Sequence, residues 1–125
     1  MMILTATGLI RKDNRLLVLK KKNKPSHYIL PGGKIDKGES PEEALIRELT
    51  EELTIDIEKE NISLFKIIET QAQFENDTIK SHIFNVNFSG QFQINSEIEE
   101  YAWIDIKEHD EKELAGLLRK LKSIL

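Results

Sequence analysis

Three carboxylates, Glu48, Glu51 and Glu52, stand at i, i+3 and i+4 within the run ALIRELTEEL. On a helix of 3.6 residues per turn that spacing puts them on one face, close enough to share a ligand. Like charges so placed repel, and Arg47 is the only cation between Ser40 and Leu53 to offset them. A helix that keeps such a cluster implies a divalent cation. Hard carboxylate oxygens suit Mg²⁺, with Mn²⁺ as the alternative.

The elements that must position these groups are legible around them. Ser40 is a good N-cap, Pro41 fits the first helical position, and Glu42 and Glu43 complement the positive end of the helix dipole. The helix is expected to run to about Leu53, with Ala44, Leu45, Leu49 and Leu53 as its apolar stripe. Upstream, a loop from Asn23 to about His27 leads to a short strand at Tyr28–Leu30, which Pro31-Gly32-Gly33 stops. Residues 2–10 and 15–21 read as strands of a hairpin around Lys12-Asp13-Asn14. In the second of them Leu16, Leu17, Val18 and Leu19 are apolar on both faces, the pattern of a central strand covered on both sides. Further strands are expected near 62–74, 79–88 and 101–105. Leu114, Leu117, Leu118, Leu121 and Leu125 have the spacing of a terminal helix.

Composition bounds the rest. A chain of 125 residues, 39% hydrophobic and 32% charged, has the size and balance of one domain. No apolar run approaches the roughly 18–20 residues that cross a bilayer, and the N-terminal stretch reads as a strand, not a leader. The absence of cysteine excludes disulfides and thiolate sites and fits a reducing, cytoplasmic setting. Net charge is −4, but residues 1–38 hold nine Lys/Arg against two Asp/Glu, and residues 39–60 hold nine Asp/Glu against two Lys/Arg. That split could set a basic wall, with Lys20 and Lys21, beside an acidic one, as a polyphosphate would need. The plainer reading of Lys20, Lys21, Lys22 and Lys24 is a solvated strand end and loop. An acidic chain without a basic stripe or aromatic platform is a poor partner for nucleic acid.

From Gly33 to Ile55 the chain resembles the Nudix hydrolases, most closely their small MutT-like branch. The family box is Gly, five residues, Glu, seven residues, then Arg-Glu-aliphatic-any-Glu-Glu-any-Gly-aliphatic. Gly33, Glu39, Arg47, Glu48, Leu49, Glu51, Glu52 and Ile55 match it, while Thr54 replaces its last glycine. Glycine there would supply a left-handed residue, which costs a β-branched side chain roughly 1–2 kcal/mol, so the helix is expected to end through a different turn. So many fixed positions, in a strand, glycine turn and helix context, make a chance match improbable.

The resemblance implies an α/β fold, an α/β/α sandwich with a mixed sheet between helices, as a single domain over residues 1–125. It implies Glu48, Glu51, Glu52 and the Gly32 carbonyl as metal ligands, with Arg47 and Glu39 in support. Gly32 and Gly33 would turn the backbone so that a carbonyl can face the metal, and Arg47 can hold Glu39 or Glu51. Glu48 or Glu51 would accept the proton of the attacking water. A further ligand is expected from the loop NSEIEEYAWID, where Glu97 aligns and Glu100 is the runner-up. Phe74 and His82 could stack on a base, and Trp103 is core or pocket rim. The implied reaction is hydrolysis of a nucleoside diphosphate derivative. No proline follows Pro41 and no tyrosine lies between Tyr28 and Tyr101, where relatives selective for ADP-ribose and for dinucleoside polyphosphates carry them. Nucleoside triphosphates therefore lead. A non-catalytic nucleotide sensor and an enzyme for prenyl or inositol polyphosphates are the alternatives, and exposed strand edges would permit a homodimer.

Overall fold

The turn at Asp13-Asn14 closes the expected hairpin, with Asp13 left-handed at φ 57°. Strands β1 (Met2–Lys12) and β2 (Arg15–Lys21) pair only at Arg11–Leu16 and Lys12–Arg15, and then part. The computed structural model describes residues 1–71 and 77–125. In it β1 runs parallel to β6 (Thr78–Val86), which pairs antiparallel with β5 (Ile62–Gln71). On the other side β2 is antiparallel to β3 (Lys24–Ile29) and to β7 (Ile98–Ile104). With β4 (Gly32–Lys34) on β1, this is one mixed sheet of seven strands, its path running β3-β2-β1-β6-β5.

Two helices cover its two faces. Helix α1 (Pro41–Leu53) lays Ala44, Leu45, Leu49 and Leu53 on Ala6, Ile10, Leu17 and Leu19. Helix α2 (Gly116–Lys122) brings Leu118 and Leu121, with Leu114 just before it, onto Leu9, Leu16, Val18 and Ile83. Alternate residues of β2 thus enter different cores, as its two-sided apolar pattern requires.

Several boundaries differ from the sequence expectation for physical reasons. The segment read as a loop before Tyr28 is strand from Lys24. It forms the sheet edge, where Pro25, lacking a donor, is tolerated. Gly32 and Gly33 do not merely stop a strand, because they form β4 against Thr7 and Ala6. Leu114 precedes α2, where the N–H of Ala115 bonds to the carbonyl of Tyr28 at 3.0 Å.

Thr54 also departs from expectation. It does adopt the left-handed conformation, at φ 57° and ψ 36°, in place of the family glycine. Its N–H reaches the Thr50 carbonyl at 3.1 Å, and its hydroxyl donates to the Gln93 carbonyl at 3.0 Å. That hydrogen bond, worth about 0.5–1.5 kcal/mol, offsets much of the conformational cost.

Candidate active site

Helix α1 is started by a reciprocal cap. Ser40 Oγ accepts from the Glu43 N–H at 3.1 Å, and Glu43 Oε1 accepts from the Ser40 N–H at 3.0 Å. The cap holds Glu43 below the usual carboxylate range through the hydrogen bonds from Ser40. The register fixed there sends the apolar stripe inward. Glu48 and Glu52 then face Gly33 and Gly32 of β4, while the Glu51 carboxylate is exposed beside Arg47.

The two glycines of β4 serve different neighbours. Gly32 has φ 136°, and a Cβ on it would lie 2.2 Å from the Ala6 carbonyl oxygen, so the strand could not seat on β1 with any side chain there. A Cβ on Gly33 would lie 2.7 Å from the carboxyl carbon of Glu48. Gly33 therefore makes room for that carboxylate.

Arg47 gathers the acidic groups. Its Nε donates to Glu39 Oε2 at 2.8 Å and its Nη2 to Glu39 Oε1 at 3.0 Å, a two-pronged grip. Nη1 donates to Glu48 Oε1 at 2.9 Å and stands 3.5 Å from Glu51 Oε1, while Nη2 also reaches the Lys34 carbonyl at 3.1 Å. Of the two partners the sequence left open for Arg47, Glu39 takes the hydrogen bonds and Glu51 lies in ion-pair range. Hydrogen bonds from Arg47 and from the Asp36 N–H pull the Glu39 carboxyl down to about 2. The Arg47 guanidinium is shifted up, chiefly by Glu39.

Glu52 is buried, at 4% exposure. Its Oε1 accepts from the Gly32 N–H at 2.8 Å, while Oε2 has no hydrogen-bond partner and faces the Lys21 ammonium at 3.3 Å. Burial pushes its carboxyl up to about 7, against the pull of the Gly32 N–H and Lys21 and with the help of the Glu48 charge.

Among the described residues no three acidic or histidine side chains converge tightly enough to hold a metal ion. Arg47 and Lys21 balance the carboxylates instead. The donors nonetheless suit a hard divalent cation. They are carboxylates on one helix face, and the buried Oε2 of Glu52 is an acceptor that no hydrogen bond satisfies.

Other predicted residues are spread more widely. Lys20 lies over the Tyr28 ring, 4.4 Å from its centroid, and pairs with Glu100 at 3.5 Å, so it does not join Lys21 at Glu52. His82 shares a row of the sheet with Gly33, both being opposite Ala6, and its Nδ1 lies 3.2 Å from the Thr5 carbonyl. Phe74 lies outside the described residues. Trp103 packs on the α1-side core and also lines a cavity of about 410 Å³ with Phe88, Phe92 and Tyr101. None of the predicted acidic residues lines that cavity.

Asn95 was not singled out in the sequence. Its side-chain amide donates to the Glu51 carbonyl, its N–H to the Glu52 carbonyl at 3.1 Å, and its Oδ1 accepts from the Glu97 N–H at 2.8 Å. The Glu97 carbonyl in turn accepts from the Lys22 N–H at 3.0 Å. The exposed Glu97 is thereby fixed by its backbone beside the end of α1. The one available signal was an asparagine before a strand in an acidic loop, which also fits an ordinary turn.

Comparison with known proteins places the fold. The chain superposes on the MutT NUDIX hydrolase of Burkholderia pseudomallei with a TM-score of 0.83, at 23% identity, over 98% of this chain and 97% of that one. It is similar to the 8-oxo-dGTP diphosphatase of Escherichia coli (strain K12), 38% identical over 68 residues, which are 51% of each protein. It is also similar to the ADP-ribose pyrophosphatase of Methanocaldococcus jannaschii, 49% identical over 47 residues. Those residues are 36% of this chain and 28% of that enzyme, so the matches span about half of one of these two curated relatives and little more than a quarter of the other. The NUDIX domain family profile matches residues 2–123, nearly the whole length, and the chain belongs to the Nudix family.

Proposed function

We propose that this chain hydrolyses a diphosphate linkage in a nucleoside diphosphate derivative, with a nucleoside triphosphate, cleaved to monophosphate and pyrophosphate, as the leading substrate class. The observation that carries the reading is the α1 face, where Glu48, Glu51 and the buried Glu52 are kept beside one another by two cationic side chains. Holding such mutually repelling groups together is costly unless a ligand uses them. The relatives support the class, since the names of the similar proteins include a diphosphatase and a pyrophosphatase.

Glu48, Glu51, Glu52, the Gly32 carbonyl and Glu97 would hold Mg²⁺, or Mn²⁺ in its place. Such an ion, when bound, offsets the charge on phosphate oxygens and lowers the pKa of water. Arg47 has the supporting role. By gripping Glu39 it ties the loop before α1 to the helix, and by touching Glu48 and Glu51 it orients both. Glu48, whose carboxylate lies beside Gly33, or the more exposed Glu51 would accept the proton of the attacking water. Lys21, whose ammonium pairs with Glu52, would bind a phosphate of the substrate. His82, in the row of Gly33, is the candidate side chain for the nucleoside.

The test is release of phosphate and pyrophosphate from canonical and oxidised nucleoside triphosphates, ADP-ribose, dinucleoside polyphosphates and inositol polyphosphates. Reactions are run with Mg²⁺ and with chelator, and Glu52→Gln is the control. Turnover that needs the metal and disappears in the variant is expected. Tight nucleotide binding without turnover on any member would replace the hydrolase by a sensor.

A further inference from the structure

The last four carbonyls of α1 are all satisfied, although its last turn has no basic side chain. Thr50 accepts from Thr54 N–H, Leu53 from Gln93 N–H at 2.9 Å, Glu52 from Asn95 N–H, and Glu51 from the Asn95 side chain. Two of these four bonds come from Asn95. Its remaining polar atoms are engaged as well, with Oδ1 taking the Glu97 N–H and its carbonyl taking the Ile98 N–H at 3.1 Å. One half-buried asparagine therefore holds the backbone of Glu51, of Glu52 and of Glu97 together, across more than forty residues of sequence.

The far side of Glu97 is fixed too. Lys22 N–H binds its carbonyl, Ile98 beside it is buried in the α1-side core, and Lys21, paired with Ile98, points its ammonium at Glu52. The Glu97 backbone thus has little freedom relative to α1, and Asn95 supplies the link on the helix side.

We propose that Asn95 is a positioning residue that sets the Glu97 carboxylate against the Glu51–Glu52 end of α1. The proposal rests on the hydrolase reading for its catalytic consequence, but its geometric content is separate. Asn95 touches no reacting atom, and its effect passes through Glu97. A cap of purely structural importance would lower stability alone.

The experiment compares Asn95→Ala, Glu97→Gln, the double variant, and Thr54→Val. The last removes a neighbouring tie between α1 and the same loop without touching Glu97. Melting temperature, kcat and KM on the best substrate of the panel, and Mn²⁺ affinity by electron paramagnetic resonance are read for each. Asn95→Ala is expected to lose about 10–100-fold in kcat or Mn²⁺ affinity, the range for groups that orient metal ligands, with KM for the nucleotide little changed. In the Glu97→Gln background the same change should add nothing, since both act on one group. Thr54→Val should melt earlier yet keep wild-type kcat and Mn²⁺ affinity.

An Asn95→Ala protein that follows Thr54→Val in every readout, or losses that multiply in the double variant, overturns the proposal. A wild type inactive on the whole panel sinks the hydrolase reading, and Mn²⁺ affinity then decides alone. Weakening by Asn95→Ala to the level of Glu97→Gln supports the positioning role, and an unchanged or undetectable affinity refutes it.

Discussion

The ammonium of Lys21 stands 3.3 Å from Oε2 of Glu52, an oxygen that no hydrogen bond reaches. A buried carboxylate in this state depends on its one cationic neighbour. Lys21→Met should therefore destabilise the protein in chelator by about 1–3 kcal/mol, the cost of a buried polar group left unsatisfied. Pairing it with Glu52→Gln should restore most of that loss. Urea unfolding of the two variants gives the answer, and wild-type stability in Lys21→Met would mean that the ion pair contributes nothing.

Gly32 and Gly33 adjoin in sequence but should respond to alanine in opposite ways. At Gly32 the new methyl meets backbone, the Ala6 carbonyl, at φ 136°, and Gly32→Ala should fail to fold or melt far below the wild type. At Gly33 it meets only the movable end of Glu48. Gly33→Ala should fold, with its melting temperature lowered by a few degrees at most, and lose activity as the carboxylate is displaced. Circular dichroism beside the nucleotide assay separates the two.

The Glu39 carboxyl lies at about 2 in the folded chain, against an ordinary 4.5, because Arg47 and the Asp36 N–H hold its charged form. A folded value below the unfolded one gives stability that is present above about pH 5 and lost as pH falls towards 2. Glu39→Gln should therefore melt below the wild type at pH 7, and the gap should narrow below about pH 5 and close only below about pH 2. A gap that does not depend on pH would show that Glu39 acts by shape and not by charge.

Arg47→Lys keeps the charge but not the fork. A lysine cannot bind both oxygens of Glu39 while touching Glu48 and the Lys34 carbonyl. The variant should fold and lose about 10–100-fold in kcat, as expected for a lost orienting group. Steady-state kinetics with the preferred nucleotide would show it, and an unaltered kcat would remove Arg47 from the mechanism.

What the sequence disclosed was what depends on local periodicity. Ser40, the apolar stripe of α1 and the grouping of Glu48, Glu51 and Glu52 are all set within one helix, where i, i+3 and i+4 are fixed distances. The two-faced β2 was equally readable, because an apolar run on both faces needs a cover on each. Contacts between remote segments left no such trace. Asn95 meets Glu51 and Glu52 only after the chain has folded back, and Lys20 is drawn from Lys21 to Tyr28 by the geometry of a strand. Thr54 shows how a sound local rule can fail. Left-handed threonine is unfavourable in isolation, but the hydroxyl found an acceptor in Gln93, thirty-nine residues on.

The divided allegiance of β2 has a consequence for unfolding. Leu17 and Leu19 belong to the core under α1, Leu16 and Val18 to the core under α2, and all four are carried by one continuous backbone. Distorting that strand from either face loosens the packing on the other, so the halves share a cooperative fate. Leu17→Ala and Val18→Ala, on opposite faces, should each lower a single melting transition without splitting it, and far-ultraviolet and tryptophan signals should report the same midpoint.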